Sequence, residues 1–119
     1  MSQLPTSLPG IDVASGVARV VGNEKLYVQM LRRVAGNAPD TIDKVNSALA
    51  GGNIQGVRDV AHSIKGAAAN LSMLEVADAA GKLEIAAKDN DLAALPACAA
   101  DFAEAMQKFS AIVAEHVKD

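Results

Sequence analysis

Tryptophan is absent from this chain, and one tyrosine and two phenylalanines are its only aromatic residues. Half of the 119 residues are nonetheless hydrophobic, much of that being alanine, with leucine and valine at helical spacing. Such a composition favours close-packed helices over sheets. No stretch alternates with period two, and no valine- and isoleucine-rich run is flanked by turn residues, so strands are not expected. A single cysteine, Cys98, excludes an intramolecular disulfide and fits a reducing compartment, with the side chain read as a small buried apolar group. No apolar run approaches the ~20 residues that a membrane-spanning helix needs. The first ten residues lack the basic start and apolar stretch of a signal peptide. Net charge is only −3, and no basic stripe is long enough to follow a phosphate backbone, which argues against a nucleic-acid partner. A cytoplasmic protein is the expectation.

What remains is a single helical domain with clear punctuation. Residues 1–10 hold prolines and a glycine without periodicity and read as a linker-like lead-in; residues 11–119 form the domain. Ile11 to Val21 predicts a short helix ending at Gly22. Asn23 is placed to cap a second helix over Glu24 to Ala35, stopped by Gly36 and Asn37. Pro39 opens a third, which runs to Ala50 and ends at Gly51-Gly52. Asn53 caps a fourth, in which Ile54, Val57, Ala61, Ile64, Ala68 and Leu71 follow the alternating three-four spacing of a bundle seam. Ser72 is expected to cap a fifth helix, with Met73, Val76, Ala80, Leu83 and Ala87 on its seam. Asp91 is expected to cap a sixth, with Leu92, Leu95, Ala99, Phe102, Met106, Phe109 and Val113 on one face and a bend at Pro96. Short connections between long helices favour antiparallel neighbours. The expected fold is all-α: an up-down antiparallel four-helix bundle with one or two additional short N-terminal helices.

The chemistry concentrates in the fourth helix. His62 follows the seam residue Ala61, and a step of about 100° takes it off the buried stripe. Arg58, His62, Lys65, Gly66 and Ala69 share that outward face. A neutral imidazole has one nitrogen with a free lone pair and is nucleophilic near neutral pH without a dedicated base. A phosphoryl group is the electrophile this face suits, since Lys65 and Arg58 can bring positive charge to its oxygens and phosphoryl transfer is mostly positioning and charge stabilisation. Gly66 costs a helix about 1 kcal/mol relative to alanine. Close approach of a partner beside His62 offsets that cost, and Ala69 keeps the surface low one turn further.

The set His62-Ser63-Ile64-Lys65-Gly66 resembles the His-Ser/Thr-Leu-Lys-Gly signature of histidine-containing phosphotransfer (HPt) domains. Leu8-Pro9-Gly10-Ile11-Asp12, Gly22-Asn23 with Tyr27 and Leu31, and the pair Leu83-Glu84 are similar to that family too, so the resemblance spans nearly the whole chain. Ser72 departs from it, because many members carry glycine ten residues after the histidine. The resemblance implies a phosphocarrier rather than a free-standing enzyme. His62 would accept a phosphoryl group on Nε2 from a receiver-domain aspartyl phosphate and pass it to another receiver, with Lys65 stabilising its charge. Arg58, Gly66, Ala69 and Ser72 would form the docking surface. The implied partners are response-regulator receiver domains, with a hybrid sensor histidine kinase as a further candidate. No cofactor is implied on this chain; magnesium belongs to the receiver, and no GxxxxGK[ST] phosphate loop is present. A monomer is expected, and Met1 directly before the lead-in favours a free-standing protein over the end of a hybrid kinase.

Three other readings are weaker. An adaptor that docks receivers without phosphotransfer would not need both His62 and Lys65. A metal or haem bundle built on His62 and His116 lacks a ligand set. An acid-base enzyme would need paired carboxylates, whereas Glu75, Asp78, Glu84 and Asp101 read as scattered, solvated charges.

Overall fold

The computed structural model describes Pro5 and residues 7–117, so part of the expected lead-in, residues 1–4 and 6, lies outside the described residues. The described residues form six helices: α1 (Val13–Arg19), α2 (Glu24–Gly36), α3 (Ala38–Ala50), α4 (Ile54–Asn70), α5 (Leu74–Lys88) and α6 (Leu95–His116). Among the described residues no strand forms beyond two isolated bridges, Leu8 with Ile11 and Ile11 with Met73.

The helix starts follow local chemistry. Asp12, Asn23 and Asn53 each turn a side-chain oxygen to a backbone N–H three residues on, satisfying a donor that the first helical turn leaves without a partner. The joint between α2 and α3 is tighter. Asn37 donates to the Arg33 carbonyl and accepts from Thr41 N–H, so hydrogen bonding continues through it, and Pro39 falls in the first turn of α3 where its missing N–H costs nothing.

Each seam faces the interior. Val57, Ala61 and Ala68 from α4, with Leu71 at its C-cap, meet Val76, Ala80, Leu83 and Ala87 from α5, with Leu95, Ala99, Phe102, Met106, Phe109 and Val113 from α6 completing the core. Helix α4 packs on α5 and α3, α6 packs on α5, α3 and α2, and α1 lies on α2. Alanines let α4 and α5 approach closely, and that approach brings the functional side chains within reach of one another.

Tyr27, fully buried, ties the N-terminal helices to this unit: its hydroxyl donates to the Leu71 carbonyl at 2.6 Å. Gly16 makes room for the ring, because a Cβ at that position would overlap it. The chain before α1 is tied down at the same end. Asp12 N–H donates to the Ser72 carbonyl at 2.9 Å, and Leu74 N–H donates to the Gly10 carbonyl at 2.7 Å.

Four expectations at the helix ends are corrected. Ser72 does not cap α5. Met73 occupies the N-cap, offers no side-chain cap, and leaves that work to the Gly10 carbonyl. Asp91 caps a turn, accepting from Ala94 N–H at 3.1 Å, and α6 starts only at Leu95. Leu92 therefore leaves the α6 stripe and stands exposed. Pro96 opens α6 in its first turn, where no hydrogen bond is lost and no bend is required.

Candidate functional site

His62 and Glu84 occupy matching places on neighbouring helices. Each follows a fully buried seam residue, Ala61 on α4 and Leu83 on α5. The two helices run in opposite directions: His62 meets Glu84, while Lys65, further along α4, lies over Gly81, further back on α5. In an antiparallel pair, stepping one residue past the seam rotates both helices toward the same flank. His62, Lys65, Glu84 and Gly81 all take that step and share one edge of the α4–α5 interface.

The imidazole stands in solvent, with 75% of its side chain exposed, while the Glu84 side chain is only 15% exposed. Glu84 Oε2 lies 2.7 Å from His62 Nδ1. An ionised carboxylate only accepts hydrogen bonds, so Nδ1 carries the proton and donates. In the neutral ring the Nε2 lone pair is then the free one. Glu84 Oε1 accepts from the Lys65 ammonium at 3.5 Å. Burial, the largest influence on the Glu84 carboxyl, pushes it up, but hydrogen bonding to His62 and the charge of that ring when protonated, followed by Lys65, outweigh burial and hold it below its ordinary value. The site thus keeps an anion between an imidazole and an ammonium.

The surroundings differ from residue to residue. Arg58 is half-buried and, with Gln55, Asp59, His62 and Glu84, lines an open depression of about 360 Å³ beside the imidazole. Gly66 and Ala69 are exposed, and a Cβ on Gly66 would meet nothing within 4 Å. No packing inside the described protein explains a glycine there. Ile85, next to Glu84, leaves 58% of its surface in solvent.

Two sequence expectations change here. The sequence groups Ser72 with the docking surface, but it is 4% exposed, lies past the C-terminal end of α4, and donates its hydroxyl to Ser15 Oγ at 3.0 Å. Its φ of +56° is left-handed, a conformation glycine adopts without steric cost. Ser72 is a residue of the α4–α5 turn. Glu84, a solvated charge by its sequence pattern, is the hydrogen-bond partner of the histidine. Its position one step past a seam leucine is the available signal, and using that signal requires the register between the two helices. Among the described residues, no three His, Cys, Asp or Glu side chains gather as a metal-ligand set.

Fold and site together define a helical protein that presents a tautomer-fixed imidazole on the flank of two packed helices. A family model described as Hpt domain matches residues 29–112, well over half of the chain, and the chain belongs to that family. It is a histidine phosphotransfer domain of the kind that works in phosphorelays. The crystal structure of histidine-containing phosphotransfer protein B (HptB) from Pseudomonas aeruginosa PAO1 is similar in fold, with a TM-score of 0.80 and 22% identity over 92% of this chain and 95% of that one. No curated protein sequence matches the chain. Among the described residues, no helix is long and apolar enough to cross a membrane.

Proposed function

We propose that His62 is the phosphoryl carrier, bonded through Nε2, and that it takes the group from an aspartyl phosphate of one receiver domain and gives it to an aspartate of another. The observation that carries this reading is the 2.7 Å contact from Glu84 to Nδ1, which leaves Nε2 as the nucleophile on an exposed ring. Lys65 supplies positive charge for the phosphoryl oxygens. The reading calls for a cytoplasmic, monomeric phosphocarrier with no cofactor of its own; the receiver brings the magnesium. A hybrid sensor kinase is one source of the first receiver. Helices α3 to α6 would form the up-down four-helix bundle, supported by the closed circuit of packing from α3 through α4, α5 and α6 back to α3.

Docking is assigned to the flank that carries His62. Gly66 and Ala69 keep it low, Arg58 and Lys65 place cationic groups on it, and Ile85 adds an exposed apolar contact beside the reacting ring. The helix cost of Gly66 has no compensation inside the described protein, which fits a surface kept clear for a second molecule.

The test is incubation with receivers carrying aspartyl phosphate. An acid-labile, base-stable label on His62 is expected. Receivers that bind without leaving a label would make the protein a docking adaptor instead.

A further inference from the structure

The acceptor beside His62 is a carboxylate, and a neutral amide would have fixed the same tautomer. The charge has a separate consequence. When Nε2 attacks phosphorus, the Nε2–P bond forms from the ring lone pair, and the bond between phosphorus and the donor oxygen breaks. The donor carboxylate leaves with that electron pair. No proton moves, because Nε2 carries none and Nδ1 keeps its own. The ring, neutral before the step, is therefore a cation after it, and the Glu84 carboxylate already stands 2.7 Å from its Nδ1.

Before the step, the anion is shared with the Lys65 ammonium at the longer distance of 3.5 Å. After it, the ring cation takes over the carboxylate. Lys65, whose Cδ and Cε pass over the open face of Gly81, is left to turn toward the new phosphoryl oxygens. With Glu84 mostly shielded from water, its attraction to the ring cation is only partly screened.

Resting on the phosphocarrier reading above, we infer that the negative charge of Glu84, beyond its hydrogen bond, stabilises the phosphorylated state of His62 and so sets how strongly this protein holds the phosphoryl group relative to its partners. Glu84 acts as a positioning residue through the ring; it does not touch the phosphoryl group. A neutral acceptor in its place keeps Nε2 nucleophilic but lets the group go more readily.

The experiment uses the whole chain in a buffer of N-phosphoimidazole and imidazole. A phosphorus–nitrogen bond is broken on the donor and an equivalent one is formed on His62, so the equilibrium reads only what the protein environment adds. The ratio of phosphorylated to free His62 is measured by phosphorus NMR for the natural protein, Glu84→Gln and Glu84→Ala. Nitrogen NMR of the unmodified ring gives its tautomer. Glu84→Gln should keep the Nδ1–H tautomer yet lower the ratio roughly tenfold, the difference between a charged and a neutral hydrogen-bond partner. It should lie close to Glu84→Ala. A Glu84→Gln ratio equal to that of the natural protein overturns the inference and leaves the carrier reading standing. No phosphorylation of His62 in the natural protein overturns both.

Discussion

Glu84 Oε2 and His62 Nδ1 lie 2.7 Å apart, although 22 residues separate them in the chain. The carboxylate fixes the tautomer of an imidazole that is otherwise open to water. In the proposed function the exposed ring would carry the chemistry while its more shielded partner orients it. This division predicts that changing the ring harms function without harming the fold.

His62→Gln should abolish phosphoryl acceptance and change stability by less than about 1 kcal/mol, since the side chain is exposed and its hydrogen bond to Glu84 lies at the surface. Urea unfolding followed by circular dichroism checks the second half. Lys65→Ala should slow transfer from a phosphorylated receiver more than it weakens binding to the unphosphorylated one. An unchanged transfer rate would remove Lys65 from the chemistry.

Much of this site is readable from sequence. The alternating spacing through Ala61 and Ile64 gives the exposure of His62, and Asn23 and Asn53 mark helix starts where they occur. The contact of Glu84 with His62 is not legible in the sequence, because periodicity fixes the face of each helix but not the register between two of them. Register comes from the α4–α5 turn, where Ser72 is left-handed, Tyr27 bonds the Leu71 carbonyl and Gly10 caps α5. Those contacts join positions far apart in sequence. The α6 start differs from the sequence expectation for a related reason: Asp91 is a competent cap, and what it caps is a turn.

Gly66→Ala should stabilise α4 by up to about 1 kcal/mol, because a Cβ there meets open space. Gly66→Leu should fold as well but bind receivers more weakly, as should Ile85→Asp on the neighbouring helix. Titration calorimetry against a receiver that accepts the phosphoryl group measures this. Natural affinity in both variants would move the docking surface away from this flank.

Ser72→Gly exchanges two opposing effects. It relieves a left-handed serine, worth about 1–2 kcal/mol, and loses the hydrogen bond to Ser15, worth about 0.5–1.5 kcal/mol. The midpoint of thermal unfolding should therefore move little, and receiver binding should not change. Ser72→Val, which combines branching with a positive φ, should be clearly destabilised. A loss of receiver affinity in folded Ser72→Gly would return this position to the docking surface.

Burial first, and the charge of Asp12 second, push the Tyr27 hydroxyl up to about 12. The folded value lies above the unfolded one of 10.0, so the stabilisation it represents is complete below pH 10 and is lost as pH rises through about 12. Tyr27 is the chain's single tyrosine, and tryptophan is absent, so ultraviolet absorbance reads it alone. A titration midpoint near 10 while circular dichroism still reports native helix would contradict the buried hydrogen bond to Leu71. Tyr27→Phe should remove this part of the alkaline transition and destabilise the protein at neutral pH by about 1–3 kcal/mol, because the Leu71 carbonyl loses its partner.

In the proposed function His62 carries the phosphoryl group on Nε2 because Glu84 holds the proton on Nδ1. Combined phosphorus and nitrogen NMR of the protein charged by a phosphorylated receiver tests it most directly. The expected result is one phosphohistidine, bonded through Nε2 of His62 and absent from His62→Gln, with His116 unmodified. A phosphoryl group on Nδ1 of His62, or on His116, would contradict it.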